Sequence, residues 1–439
     1  MKGLLILALT IQTIAFAQKD PWVLDERSRA EVINTILDDR FNNLLPQLMR
    51  REGFDMWILI SREYHEDPVM KTMLPAEWLS ARRRTVFVFY DNGNTVEKLA
   101  IARYDVGLLK SSWDLNVYPD QWDALIDGIK SKNPKRIGIN YSSNYAHADG
   151  LSHYEYEQLI TRLPDEFKSR VQSAERLSVA WLETRTKYEM DLYEHINRIS
   201  HEILREGLSN KVIQPGVTTT EDVVWWYRQR ITDAGLETWF HPTVDIQKAD
   251  TSRFDHLRTF SKRPGLEIIQ PGDLLHVDFG ITYLRLNSDM QEHAYVLKPG
   301  EKEVPTYLQS AFAKALRLQD ILTENFKTGL TGNEILTNAL LQAKKEGING
   351  SIYTHPIGSH GHAAGPTIGM WDNQKKIIGP GDYPMYPNTA YSIELNASVA
   401  IPEWNGKVIR IMLEQDGYFD GKTFRYIDGR QEKIYAVQR

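Results

Sequence analysis

Apolar positions along the first 175 residues switch repeatedly between helical and strand spacing. Ile33, Leu37, Phe41, Leu44 and Leu48 recur at helical intervals over residues 27–51, and Gly53 closes that pattern. Pro46 falls inside the span and predicts a kink or a break, because its ring removes a backbone donor. Met56-Trp57-Ile58-Leu59-Ile60 then reads as a short buried strand. Residues 85–90 read as another, with Asp91-Asn92-Gly93-Asn94 as turn chemistry before a strand over 98–103. Arg136-Ile137-Gly138-Ile139-Asn140 gives a further strand after Asn133-Pro134. The alternation predicts an α/β unit over residues 25–175, and no catalytic constellation stands out in it.

A second unit is expected over residues 180–439. Thr186 with Glu189 has capping-box spacing ahead of Leu192, Ile196, Ile199 and Ile203, which build one helical face. Thr218 with Glu221 repeats the device before Val223, Tyr227 and Ile231, and Thr331 with Glu334 repeats it again. Strand patterns cover 274–283, 294–297, 390–395 and 408–414. Helices grouped around a mainly antiparallel sheet make this unit α+β.

Composition narrows the class. A chain of 439 residues exceeds one compact core and predicts two domains. Its net charge of −6 and the lack of a long basic run argue against a nucleic-acid surface. Arg82-Arg83-Arg84, the densest basic cluster, reads as a solvated strand entry. Lys2, the apolar stretch over 4–15 and Ala15-Phe16-Ala17 predict a signal peptide over 1–17, cleaved before Gln18. That stretch is shorter than the roughly 20 residues that span a bilayer, and no later apolar run reaches that length. The mature chain is thus expected to be exported, periplasmic or secreted, without a membrane span. Cysteine is absent, so disulfides are excluded and any metal site must use His, Asp and Glu.

Four segments of the second unit carry candidate chemistry. Asp278 ends the apolar run Leu274-Leu275-His276-Val277, where an ionised carboxylate is costly unless paired or bound to a metal. Asp289, in Asn287-Ser288-Asp289, follows eleven positions later, after a stretch able to turn the chain back. Three histidines, His355, His360 and His362, fall within eight positions among small residues that permit close backbone approach to a ligand. Glu394 and Glu414 both sit in strand-like apolar surroundings. Together the order is Asp, Asp, His, Glu, Glu. Four carboxylates balance two dications, and one imidazole completes a coordination position. Such a pair activates water near neutral pH and stabilises the oxygens of a tetrahedral intermediate.

With these residues in place, the chain resembles the pita-bread metallopeptidases, the family of methionine aminopeptidase, Xaa-Pro aminopeptidase, prolidase and creatinase. Asp278-Phe279-Gly280 through Ser288-Asp289 is similar to that family's first two ligands in spacing, and His362-Ala363-Ala364-Gly365 to its His-x-x-Gly element. The resemblance implies metal ligands Asp278, Asp289, His362, Glu394 and Glu414. It implies a pita-bread catalytic domain behind an α/β RNase-H-like N-terminal domain, two divalent cations (manganese, cobalt, zinc or iron), a peptide substrate and compatibility with a homodimer. It further implies hydrolysis of the first peptide bond, favoured before proline, with Glu394 carrying the proton to the leaving nitrogen.

The resemblance leaves supporting roles open. His256 and His241 compete for a substrate-contacting position. His360 either meets the substrate carbonyl or supports His362. Arg410 either holds a substrate carboxylate or pairs with Glu414. Departures from the family pattern are also visible. Gly369 stands seven positions after His362, where a second histidine is common, and Asp372 follows later, as if a short insertion lay near 366–371. Leu395-Asn396 replaces Pro-Gly, and Met412 stands where an arginine is frequent. The fold also admits a creatinase-like C–N hydrolase working without metal, against which the retention of all five ligand positions argues, and the departures keep in view an inactive binding protein of the same fold.

Overall fold

A computed structural model describes residues 22–250 and 267–438. The predicted signal segment and His256 lie outside the described residues. The first unit is built on a six-stranded mixed sheet. Its strands are β1 (Met56–Arg62), β2 (Arg84–Asp91), β3 (Val96–Ala100), β4 (Lys110–Ser111), β5 (Ile137–Ile139) and β6 (Val171–Ser173), in the order β4-β3-β2-β1-β5-β6. The β1–β2 and β2–β3 pairs are antiparallel, and β1–β5–β6 are parallel. Strand alternation sends Met56, Ile58 and Ile60 to one core with Trp122, Leu125 and Ile129. Trp57 and Leu59 go to the other, with Phe41, Leu45, Leu48 and Trp181.

The helix expected over 27–51 is interrupted one turn before Pro46. Glu26–Asp39 is α-helical, Arg40–Leu44 forms a π turn, and Leu45–Glu52 resumes the helix with Pro46 in its first turn. A widened turn absorbs the proline's missing donor where a kink would otherwise fall. The turn also sends Arg40 inward to the carbonyl of Thr184 (2.9 Å) and to Glu189 (2.7 Å).

The second unit holds β7 (Thr243–Gln247), β8 (Leu274–Phe279), β9 (Thr282–Tyr283), β10 (Leu286–Asn287), β11 (Met290–Val296), β12 (Gly350–Ile352), β13 (His355–Pro356), β14 (Thr389–Ser392), β15 (Leu395–Ile401), β16 (Lys407–Leu413), β17 (Asp416–Phe419), β18 (Phe424–Tyr426) and β19 (Tyr435–Val437). They form sheets β19-β11-β8-β7, β12-β15-β16 and β13-β14-β17-β18, plus the β9–β10 hairpin. Helices Lys187–Gly207 and Thr220–Asp233 cover β8 and β11 through Ile196, Ile203, Tyr227 and Phe279. Helices Thr306–Glu324 and Gly332–Lys345 cover the other sheets. The capping boxes at Thr186/Glu189 and Thr331/Glu334 form. The one expected at Thr218/Glu221 sits one residue later, at Thr219/Asp222, because the Thr218 hydroxyl is taken by the Gln214 N–H (2.9 Å).

Candidate metal centre

Three chain crossings build the site. β12 continues into β13, β14 into β15, and β16 into β17, and each passage leaves one sheet and enters the next. Ladder pairing lapses at a crossing, so side chains there are freed from strand alternation. His355 opens β13 after the first crossing, Glu394 lies within the second, and Glu414 begins the third. The buried Thr354 hydroxyl compensates the lost ladder at the second, accepting from Glu394 N–H and donating to Glu394 C=O, both at 3.0 Å.

The two aspartates come from the remaining sheet. Asp278 sits near the end of β8, and β9–β10 turns the chain back so that Asp289 immediately precedes β11. The hairpin turn is Leu284-Arg285, both with positive φ (54° and 62°), the backbone a two-residue hairpin needs. Neither residue is a usual turn former. Leu284 is buried and Arg285 donates to the Leu74 carbonyl of the first unit (2.5 Å), which holds the turn in place.

Asp278, Asp289, His355, Glu394 and Glu414 thereby converge. Among the described residues, three sets present ligand atoms all within 4.8 Å of one another: Asp278/Asp289/Glu414, His355/Glu394/Glu414 and Asp289/His355/His362. His355 Nε2 faces Glu414 Oε1 at 3.6 Å, Asp289 Oδ2 at 3.8 Å and Glu394 Oε2 at 4.0 Å. Its Nδ1 lies 2.9 Å from the Pro356 carbonyl, an acceptor that draws the proton to Nδ1 and leaves the Nε2 lone pair facing the carboxylates. His355 Nε2, Asp278 Oδ1 and Asp289 Oδ1 are buried without a hydrogen-bond partner. Buried electron-pair donors left without a hydrogen within one such cluster call for something positive among them. The donor set, oxygen-rich with one imidazole, fits divalent cations.

The electrostatics agree. Burial, then repulsion from Glu414, pushes the carboxyls of Asp278, Asp289 and Glu394 well above the ordinary range. Burial pushes Glu414 the same way, but His355 in its protonated form, Ser392 and Gln291 outweigh it and hold that carboxyl low when no cation is bound. Asp416, whose Oδ2 accepts from Asp289 N–H (3.2 Å), is raised by burial and then by Glu414. So dense a group of acids ionises together only beside compensating cations.

The other expected residues stand at different removes from this group. His362, the histidine expected to coordinate, is exposed and joins only the Asp289/His355 set; its ring stands edge-on to His355 (4.7 Å between centroids) and packs against Trp239 (5.2 Å). Gly361 is small for the sake of that tryptophan: a Cβ there would meet the Trp239 ring at 2.4 Å. Gly369, where a second histidine was sought, has φ of +76°, and a Cβ would lie 2.0 Å from the Ile352 carbonyl, so no side chain fits. His360 Nδ1 has no partner, and its ring lies 4.7 Å from His147. His147 belongs to the first unit, so that unit does contribute to the site's surroundings. His241 turns to the outer helix, against the Trp225 ring and with Nδ1 3.0 Å from Arg228 Nη1. Arg410 makes no ion pair with Glu414; its backbone pairs with the Gln247 amide, and its charge acts on the Tyr353 hydroxyl.

Gln291 was missed by the sequence reading. Its amide touches both glutamates, and nothing in a neutral residue two positions after Asp289 announces that. His355 had a signal that went unused: His362 lies seven positions after it, the interval sought instead between His362 and Gly369.

No curated protein sequence matches the chain. Solved structures with a similar fold include the X-Pro aminopeptidase from Thermotoga maritima MSB8 (TM-score 0.61, 15% identity, covering 89% of this chain and 100% of that one). The Xaa-Pro dipeptidase from Bacillus anthracis (0.57, 16%, 94% and 100%) and the prolidase from Pyrococcus furiosus (0.56, 16%, 88% and 99%) are also similar. At such identities the likeness speaks for the fold: a pita-bread domain behind an N-terminal domain. The family model for metallopeptidase family M24 matches residues 191–416, just over half of the chain and all five converging residues. The chain belongs to metallopeptidase family M24.

Proposed function

We propose that this protein is a two-metal aminopeptidase that hydrolyses the first peptide bond of its substrates, with proline favoured after the scissile bond. One observation carries the reading: ligand atoms of four carboxylates and His355 converge in overlapping sets within 4.8 Å, with Asp278 Oδ1, Asp289 Oδ1 and His355 Nε2 buried and unpartnered. Asp278, Asp289 and Glu414 would hold one cation; Asp289, His355, Glu394 and Glu414 would hold the other. Manganese, cobalt, zinc and iron all suit such ligands. Two bound dications supply a nucleophilic water near neutral pH and charge stabilisation for the tetrahedral intermediate.

The chain's own groups do the rest. Glu394 is the proton carrier, since its Oε2 faces the centre while Oε1 is held by Gln291. His362 and Trp239 border the centre beside His355, with His362 exposed to an arriving peptide. The preference for proline is supported by the names of the similar structures, an X-Pro aminopeptidase, an Xaa-Pro dipeptidase and a prolidase. Chemistry supports it too: proline makes the bond a tertiary amide and fixes φ, so proteases that need an extended strand handle it poorly.

The test is hydrolysis of Xaa-Pro peptides by purified protein with added manganese, cobalt or zinc, alongside Glu394→Gln. The expected result is metal-dependent release of the first residue and a turnover lowered about 10²–10⁴-fold in the variant. Near-normal turnover in Glu394→Gln would remove its assigned role; cleavage without metal would favour a creatinase-like C–N hydrolase, and absence of cleavage an inactive binding protein. The N-terminal pattern supports action outside the cytoplasm, in the periplasm or as a secreted enzyme. Amino-terminal sequencing of exported protein should then begin at Gln18; a retained Met1 would contradict export by this route.

A further inference from the structure

Gln291 lies on β11 opposite Asp278, and its backbone also bridges to Glu414 (N–H to carbonyl, 2.9 Å). Its side chain is buried and fully used. Nε2 donates to Glu394 Oε1 at 2.6 Å and to Glu414 Oε2 at 2.7 Å, so one amide spends both hydrogens on two carboxylates from different crossings. The oxygens it grips are those turned from His355. The opposite oxygens, Glu394 Oε2 and Glu414 Oε1, are the ones facing His355 Nε2. Rotation of either carboxylate breaks one arm of the fork.

The fork is itself held. Gln291 Oε1 lies 2.9 Å from His276 Nε2, and His276 Nδ1 faces Asp245 Oδ2 at 3.6 Å. An amide can exchange its oxygen and nitrogen by turning over. With the His276 proton on Nε2, the tautomer the two carboxylates select by orienting the amide, that would set the carbonyl oxygen against two carboxylates and the NH₂ against the His276 N–H, three repulsive contacts in place of three hydrogen bonds. His293 does not compete for the amide: its ring is engaged at both nitrogens, by the Leu275 carbonyl (2.9 Å) and the Met412 N–H (3.0 Å).

We propose that Gln291 is a positioning residue, a two-armed donor that aims Glu394 and Glu414 at the cation site beside His355, and that His276 fixes the direction of its amide. This inference rests on the two-metal reading. Hydrogen bonds behind metal ligands of this kind are typically worth roughly 10–100-fold in metal affinity or activity. A merely structural glutamine would leave the coordination environment unchanged when replaced by an apolar residue of similar length.

The experiment is calorimetric titration of the full chain with manganese, with the visible spectrum of the cobalt-loaded protein as a geometric readout. It compares wild type with Gln291→Met, which keeps length, Gln291→Glu, which keeps shape, and His276→Phe. Expected are manganese binding weakened by roughly 10–100-fold in both Gln291 variants, most at the site that takes both Glu394 and Glu414, an altered cobalt band, and a smaller change of the same sign in His276→Phe. Folding is checked by metal-free thermal unfolding; if Gln291→Met does not fold, Gln291→Glu decides. Wild-type affinities with an unchanged cobalt band in a folded Gln291 variant would overturn the inference and leave the two-metal reading standing. Absence of manganese binding by the wild-type chain would remove both.

Discussion

In the proposed two-metal reading, His355 takes the coordinating place that the sequence pattern assigns to His362, and His362 borders it. Only His355 has an Nε2 lone pair turned on three carboxylates with its other nitrogen anchored to a carbonyl. Asp278, Glu394 and Glu414 were legible because each sits in or at the end of an apolar run, where a bare charge is costly, and Asp289 through its spacing eleven positions after Asp278. The imidazole was not, because three histidines within eight positions share one local pattern and only the fold chooses among them. Replacing His355 by alanine should reduce manganese affinity by more than the roughly 10–100-fold that loss of a supporting hydrogen bond costs. His362→Ala should retain two bound ions and lower kcat/KM. Metal content after dialysis, measured beside kinetics, separates them; retained metal in His355→Ala and lost metal in His362→Ala would reverse the assignment.

At the scale of elements, the strands carrying the site were legible as apolar runs, but their interruptions were not. The run over 390–395 breaks between Ser392 and Leu395 where the chain changes sheets, and Glu394 occupies the break. Such a break depends on three crossings lying side by side, a non-local fact. Gly369 shows what the crossings demand of their neighbours. Its left-handed backbone and the Ile352 carbonyl leave no room for a side chain. Gly369→Ala should destabilise by about 1–3 kcal/mol from backbone strain alone, before the contact with Ile352 is counted. Denaturant unfolding measures this, and an unchanged midpoint would show that the segment relaxes freely.

Across the whole molecule, the two units meet through helix Glu175–Glu183, which ends in a buried carboxylate. Ala364 and Tyr383 of the second unit share a core with Leu177, Trp181 and Phe41. The Tyr383 hydroxyl donates to Glu183 Oε1 (3.0 Å), and Arg51 stands 3.5 Å away. Burial, only partly opposed by Arg51 and Tyr383, pushes the Glu183 carboxyl up to about 8 from an ordinary 4.5. A folded value above the unfolded one gives stability that is complete below the unfolded value and is lost as pH rises through the folded one. Asp278, Asp289 and Glu394 act in the same direction when no cation is present. The metal-free chain should therefore lose thermal stability between about pH 5 and pH 8. Manganese should remove the centre's share of that slope and Glu183→Gln the junction's. Melting temperatures across this range, with and without manganese, test both; a flat profile for the metal-free wild type would contradict the account. No helix among the described residues is long and apolar enough to cross a membrane.

Anomalous diffraction at the manganese edge, from crystals of the full chain grown with that metal, asks the central question directly. The account predicts two peaks, one ringed by Asp278, Asp289 and Glu414, the other by Asp289, His355, Glu394 and Glu414, with Gln291 gripping both glutamates from behind. A single peak beside His362 with His355 turned away, or no peak between these carboxylates, would contradict it.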